Sequence, residues 1–228
     1  MKNLFLSIIF ICLISCGEDK AVQLPEISNS KVTEINDVSA AYLFYDETLR
    51  DSVELNRRNL ISTTNWLINV DKRLTLKQVI PHIQYLQEKK GNSSHKNENA
   101  KNYFTCNDTS KQNLGFFEFT NSVYKNASII PLVGDEIFNK KHNFIIYFNT
   151  ENDIQIKSFP DNEDPIHSNI KNIKNDLITL TKRLNNDLNI SLSFNSGITF
   201  QNYISMKSLV ADLPSEKLSI TDIEFISD

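Results

Sequence analysis

The hydrophobic positions of this chain fall into short blocks whose spacing switches between strand and helix periods, and the order of blocks recurs. Ala41–Tyr45 is aromatic and apolar, Ser52–Asn56 alternates, and Asn65–Val70 is a third strand-like run. Leu76, Val79, Ile80, Ile83 and Leu86 follow at helical spacing, with Thr75 placed to cap the first turn. Pro81 inside this stripe predicts a kink or a delayed start, because proline has no N–H for the ladder. Residues 90–112 are hydrophilic and predict an exposed, mobile loop, after which Gly115–Phe119 closes the block as a strand.

The second block runs the same way. Phe144–Phe148 reads as a strand and Asp153–Lys157 as its hairpin partner, followed by an amphipathic helix through Ile170, Ile173, Leu177, Leu180 and Leu184. Asn189–Phe194 is the next strand, and Thr199 opens a helix with Phe200, Tyr203, Ile204, Met206, Val210 and Leu213. Ile220–Ile226 is the last strand. Asn65–Leu86 aligns without a gap onto Asn189–Val210, an offset of 124. Phe117–Phe119 onto Ile223–Phe225, and Leu24-Pro25 onto Ile130-Pro131, align at an offset of 106. The difference fits a helix over 169–186 present only in the second block and a polar loop over 90–112 present only in the first. The expected fold is α+β, with two similar halves at 41–124 and 125–228. Each is a small mixed sheet with one or two helices packed on one face.

The first twenty residues change the picture. Met1-Lys2-Asn3 is positively charged, Leu4–Ile14 is nearly all apolar, and Leu13-Ile14-Ser15-Cys16 follows. That run has about eleven residues where a spanning helix needs about twenty, so residues 1–15 read as a cleavable signal peptide rather than a membrane anchor. Leu-Ile-Ser-Cys resembles the lipobox of bacterial lipoproteins, which implies acylation (palmitate-type chains) at Cys16 and cleavage just before it. Residues 16–40 then read as a polar tether, and the protein is expected on the inner or outer membrane of the cell envelope, facing periplasm or surface. With Cys12 removed and Cys16 acylated, Cys106 is left alone, which excludes an intrachain disulfide. The formal net charge is −4, one unit more negative without Lys2, and no Lys/Arg cluster stands against it, which argues against nucleic-acid binding.

No motif points to catalysis, a metal or a cofactor. His82, His95, His142 and His167 are dispersed, Cys-x-x-Cys is absent, and Gly is too scarce for a phosphate cradle. Acidic groups gather at Asp46-Glu47, Asp135-Glu136 and 161–164, but without the glycine and alternation of a calcium loop. The chain is therefore expected to be non-enzymatic and free of cofactor and metal. An envelope enzyme of unknown chemistry and a passive structural or surface lipoprotein are the alternative readings.

Trp66–Ile80, a strand ending at Asp71-Lys72 and stepping into a helix, resembles the periplasmic domain of the ExbD/TolR biopolymer-transport family; 194–210 and 220–226 resemble it more weakly. The resemblance implies a protein-docking module and, because such domains pair, an intramolecular pseudo-dimer. It implies no proton-channel activity, since no acidic residue lies between Asn3 and Ser15. An exposed strand edge suits a protein partner in the envelope. The Ala41–Tyr45 and Ser52–Asn56 region is the expected edge, with Leu43 and Val53 as contact residues. Asp71 is a further candidate contact, although turn and cap chemistry explains it as well.

Overall fold

The computed structural model describes residues 20–228 apart from 96, 130–142, 160–163, 185–187 and 214–217. The signal peptide, Cys16, His142, Ile130-Pro131, Asp135-Glu136 and most of the 161–164 acidic run lie outside the described residues. The fold is α+β: two mixed six-stranded sheets and three described helices, in two similar halves.

In the first half, β1 (Glu26–Ile27), β2 (Val38–Tyr45), β3 (Val53–Asn56) and β4 (Asn65–Val70) precede helix α1 (Leu76–Gly91). Then come β5 (Asn102–Asp108) and β6 (Asn113–Glu118). β2, β4 and β5 run parallel, while β3 and β6 are antiparallel to β2 and β5 respectively. β1 fills the gap where β4 and β5 diverge: Gln23 accepts from the N–H of Lys72, and Pro25 from that of Asn107. The second half is β7 (Val123–Asn126), β8 (Asn143–Thr150), β9 (Asp153–Phe159), β10 (Ile166–Ser168), α2 (Ile173–Leu184), β11 (Leu188–Asn195), α3 (Phe200–Ala211) and β12 (Leu218–Ser227). Its order is β10-β9-β8-β11-β12-β7, with β8, β11, β12 and β7 parallel. Thus β3-β2-β4-β5 and β9-β8-β11-β12 have the same order and the same strand directions. The extra helix of the second half, α2, falls where its stripe placed it.

The alignment at offset 124 is a structural fact. Thr75 and Thr199, which it equates, face each other in an antiparallel bridge. Leu76 N–H donates to Ile198 O at 3.0 Å, and its counterpart Phe200 N–H donates to Leu74 O at 2.6 Å. Lys77 N–H donates to Ser196 O at 2.8 Å, and its counterpart Gln201 N–H donates to Lys72 O at 3.1 Å. Reciprocal bonds of this kind define a pseudo-two-fold axis, the isologous geometry of a symmetric dimer, within one chain. The apolar stripes of α1 and α3 and the inner faces of both sheets form one continuous core. Each fully buried Leu, Ile or Val in it contributes roughly 1.5–3 kcal/mol of transfer free energy.

Several expectations are corrected. Residues 90–112 are not one exposed loop: α1 continues to Gly91, and β5 is a central strand with Phe104 and Cys106 fully buried. Overall polarity hid the apolar positions Phe104 and Cys106; of the polar positions, Asn102 and Asp108 have partners, while the buried Thr105 hydroxyl has none among the described residues. Asn102 Oδ1 accepts from Lys90 Nζ at 2.8 Å, and Asp108 accepts backbone N–H groups from Asn29, Ser30, Ser110 and Lys111. β12 therefore answers to β5, and the offset-106 pairing with residues 117–119 falls. Nor is the whole of 16–40 a tether: Pro25, Ile27 and Ser30 are buried, Val32 bridges to Phe116, and β2 starts at Val38. Residue 125 lies inside β7, which pairs with β12, so the second sheet begins at Val123. Pro81 does not delay α1, which starts at Leu76.

Candidate functional site at the seam between the halves

One face of α3 presents Tyr203 and Lys207 toward Glu224 of β12, with Phe200 beside Tyr203. Tyr203 is fully buried, and Glu224 of β12 is 1 % exposed. Tyr203 Oη donates to Glu224 Oε2 at 2.8 Å, and Lys207 Nζ donates to Glu224 Oε1 at 2.6 Å. Tyr124 of β7 brings its hydroxyl within 3.2 Å of the Tyr203 oxygen. Because the Tyr203 proton is given to Glu224, Tyr124 is the donor in that contact. The Lys207 ammonium also lies 5.8 Å from the centre of the Phe117 ring. Burial pushes both tyrosine hydroxyls well above their ordinary range, and the neighbouring Glu224 charge adds to the effect.

Above this cluster lies a cleft of about 280 Å³ between β6 and the start of β12. Glu118, Asn121 and Ser122 line one wall, Thr221 and Asp222 the other, and Lys207 and Glu224 the floor. Glu118 is held by Lys101 at 2.9 Å and accepts from the Thr120 hydroxyl at 3.0 Å. Among the described residues, no His or Cys lines the cleft. Both oxygens of Glu224 are engaged, so the floor is arranged to hold charge in place rather than to exchange a proton with a bound nucleophile. The ammonium edge of Lys207 and the rim carboxylates offer donors and acceptors to a polar segment entering from outside.

The pseudo-two-fold makes the cluster conspicuous. Strand register sets Phe104 beside Ile68 and Glu224 beside Leu192, which the 124 offset equates. Tyr203 and Lys207 correspond in turn to Val79 and Ile83, both fully buried. One half thus holds an ionic, hydrogen-bonded group where the other holds three apolar side chains.

The residues singled out from sequence fall elsewhere. Leu43 and Val53 are 0 % and 6 % exposed and face the core, so neither is a surface contact. β2 is internal, between β3 and β4, and only β3 of that region is an edge strand. Asp71 is fully buried, with Arg73 Nε and Nη2 donating to its two oxygens at 2.9 Å each. It also accepts the N–H groups of Arg73 and Gln23. Burial works against its charge, but these bonds prevail and hold its carboxyl below the ordinary range. Its counterpart Asn195 accepts the N–H of Gly197 at 2.8 Å, so both halves use the same side-chain turn between strand and helix. That is the turn reading of Asp71. Burial pushes the Cys106 thiol up to about 12, which leaves it inert. Lys90, over the Trp66 ring at 5.0 Å, is pushed down to about 8 by burial.

The seam cluster itself was missed. In the sequence, Tyr203 reads as part of an apolar helix stripe and Glu224 as part of the last strand. The one available signal was Lys207 continuing that stripe seven residues after Phe200. Among the described residues there is no group of three or more potential metal ligands. No helix among them is long and apolar enough to cross a membrane. No protein-family model, curated protein or solved structure matches this chain.

Proposed function

We infer that this chain is a non-enzymatic docking module of the bacterial envelope, anchored through an acylated Cys16. Its two halves are kin to the periplasmic domains of ExbD/TolR-type transport proteins, and it has no proton-channel activity of its own. The observation that carries the reading is the reciprocal pairing about Thr75 and Thr199. It supports an intramolecular pseudo-dimer, and the polar cleft at the seam, walled by residues of both halves, is the place offered to a partner segment. A strand-like or polar peptide of an envelope protein fits a cleft rimmed by Glu118 and Asp222 with Lys207 below.

Two measurements test this. The Cys16→Ser chain is expected to leave the membrane fraction, lose labelled fatty acid and run as a monomer; an obligate dimer would count against the pseudo-dimer. A photo-crosslinker at Asn121, on the cleft wall, is expected to capture one envelope protein in cells, with capture lost in Lys207→Ala. Equal capture from exposed Leu49, far along the chain at the β2–β3 turn, would remove the cleft from the reading.

A further inference from the structure

The two faces of the first sheet differ in kind. Ala41, Leu43, Trp66, Ile68 and Val70 are buried against α1, whereas Tyr42, Phe44 and Asn69 on the opposite face are only half-buried. Tyr42 and Phe44 stack at 5.8 Å on that open face. Val22 and Leu24 lie beside them, and together with Asn56 and Asn69 these residues line a shallow, mainly apolar groove of about 350 Å³.

The start of the chain lies on the rim of the same groove. Lys20, itself a lining residue, is bound to Asp46 at 2.6 Å and to Glu54. These ion pairs offset two carboxylates that would otherwise oppose close approach to headgroup phosphates. Only four peptide units separate Lys20 from Cys16. At full extension four residues span at most about 14 Å. The interfacial layer on each side of a bilayer is roughly 5–8 Å thick. A lipid on Cys16 therefore keeps Lys20, and the groove beside it, within about 10 Å of the headgroups.

We propose that this open face, centred on Tyr42, Phe44, Val22 and Leu24, is the protein's membrane-facing surface and docks on the phospholipid interface beside the lipid anchor. An aromatic ring with a polar tip, such as Tyr42, has its apolar body and its hydroxyl suited to that boundary. The docked face fixes the orientation: the β2–β3 edge turns to the bilayer, and α1 is held outward. The inference rests on acylation of Cys16.

The test uses the full acylated chain in phosphatidylethanolamine–phosphatidylcholine vesicles, with a nitroxide attached at Tyr42→Cys or, separately, at Tyr85→Cys. Cys106 is buried and stays unlabelled, while Tyr85 on α1 is 43 % exposed. On vesicles, collisions with a water-soluble nickel chelate are expected to fall several-fold at position 42, with oxygen collisions rising, and to stay unchanged at position 85. Flotation of the same samples reports the anchor independently. A chain that fails to float overturns both the anchor and the docked face. A chain that floats while position 42 remains as accessible as position 85 overturns the docked face alone. Protection of position 42 only after an envelope protein is added overturns it in favour of a protein partner.

Discussion

The two halves share a strand order and a helix position, yet they differ where helix meets sheet. The first half has Val79, Ile83 and Phe104 at the positions where the second has Tyr203, Lys207 and Glu224. Phe104 serves the core of both: its ring stacks on Phe119 at 3.9 Å and meets Phe200 edge-on at 5.1 Å. The pair of halves is thus an internal control showing that this backbone accepts either apolar or ionic filling. A buried ion pair is weak evidence for stability, because desolvation offsets most of the attraction. Retaining one in a single half, under an open cleft, points to recognition.

The largest break in the comparison is expected on the apolar side. Phe104→Ala leaves a cavity shared by both halves and should cost about 3–5 kcal/mol, read from urea unfolding. Next comes Lys207→Ala, which strands Glu224 at 1 % exposure. The loss should be about 2–4 kcal/mol, below that of a wholly enclosed pair because the Lys207 side chain keeps 15 % exposure. The double variant Lys207→Met/Glu224→Leu makes the second half resemble the first. It should return to within about 1 kcal/mol of the parent while losing capture at the cleft. If the double variant is as unstable as Lys207→Ala, the ionic group is structural and the recognition argument falls.

The pH dependence probes the seam cluster and the Asp108 network separately. Tyr124 and Tyr203 have folded pKa values raised above the ordinary 10.0. Unfolded tyrosine loses its proton first, so their contribution is present below about pH 10 and is lost as pH rises beyond it. Asp108, in the first half, is lowered from 3.8 to about 2, chiefly by the Ser110 hydroxyl. Its contribution is present above about pH 4 and is lost as pH falls toward 2. Tyr124→Phe should make the alkaline limb shallower and Asp108→Asn the acid limb shallower, each leaving the other limb unchanged in a pH series of unfolding midpoints.

The smallest effects lie at the caps that the symmetry equates. Thr199 accepts the N–H of Asn202 at 3.3 Å, so Thr199→Ala should cost about 1 kcal/mol. At the matching end of α1 the bond is made instead by Gln78, whose Oε1 takes the Thr75 N–H at 2.8 Å. Gln78→Ala should lower the melting point by more than Thr75→Val does.

What could be read from sequence was local and periodic. The β4–α1 and β11–α3 units, their gapless correspondence and the extra helix α2 all follow from spacing along a few turns of chain. Spacing is a property of neighbours in sequence, and it survives folding. Tertiary structure decided the rest. A polar stretch became the central strand β5 because Lys90 and the N–H groups of distant residues satisfied Asn102 and Asp108. Leu43 and Val53 became core because they project from the face of β2 and β3 that joins the common apolar core. The seam cluster joins Tyr124, Tyr203, Lys207 and Glu224 from three separate elements. Whether a polar group is exposed, paired or buried depends on partners far along the chain, and only packing brings those partners together.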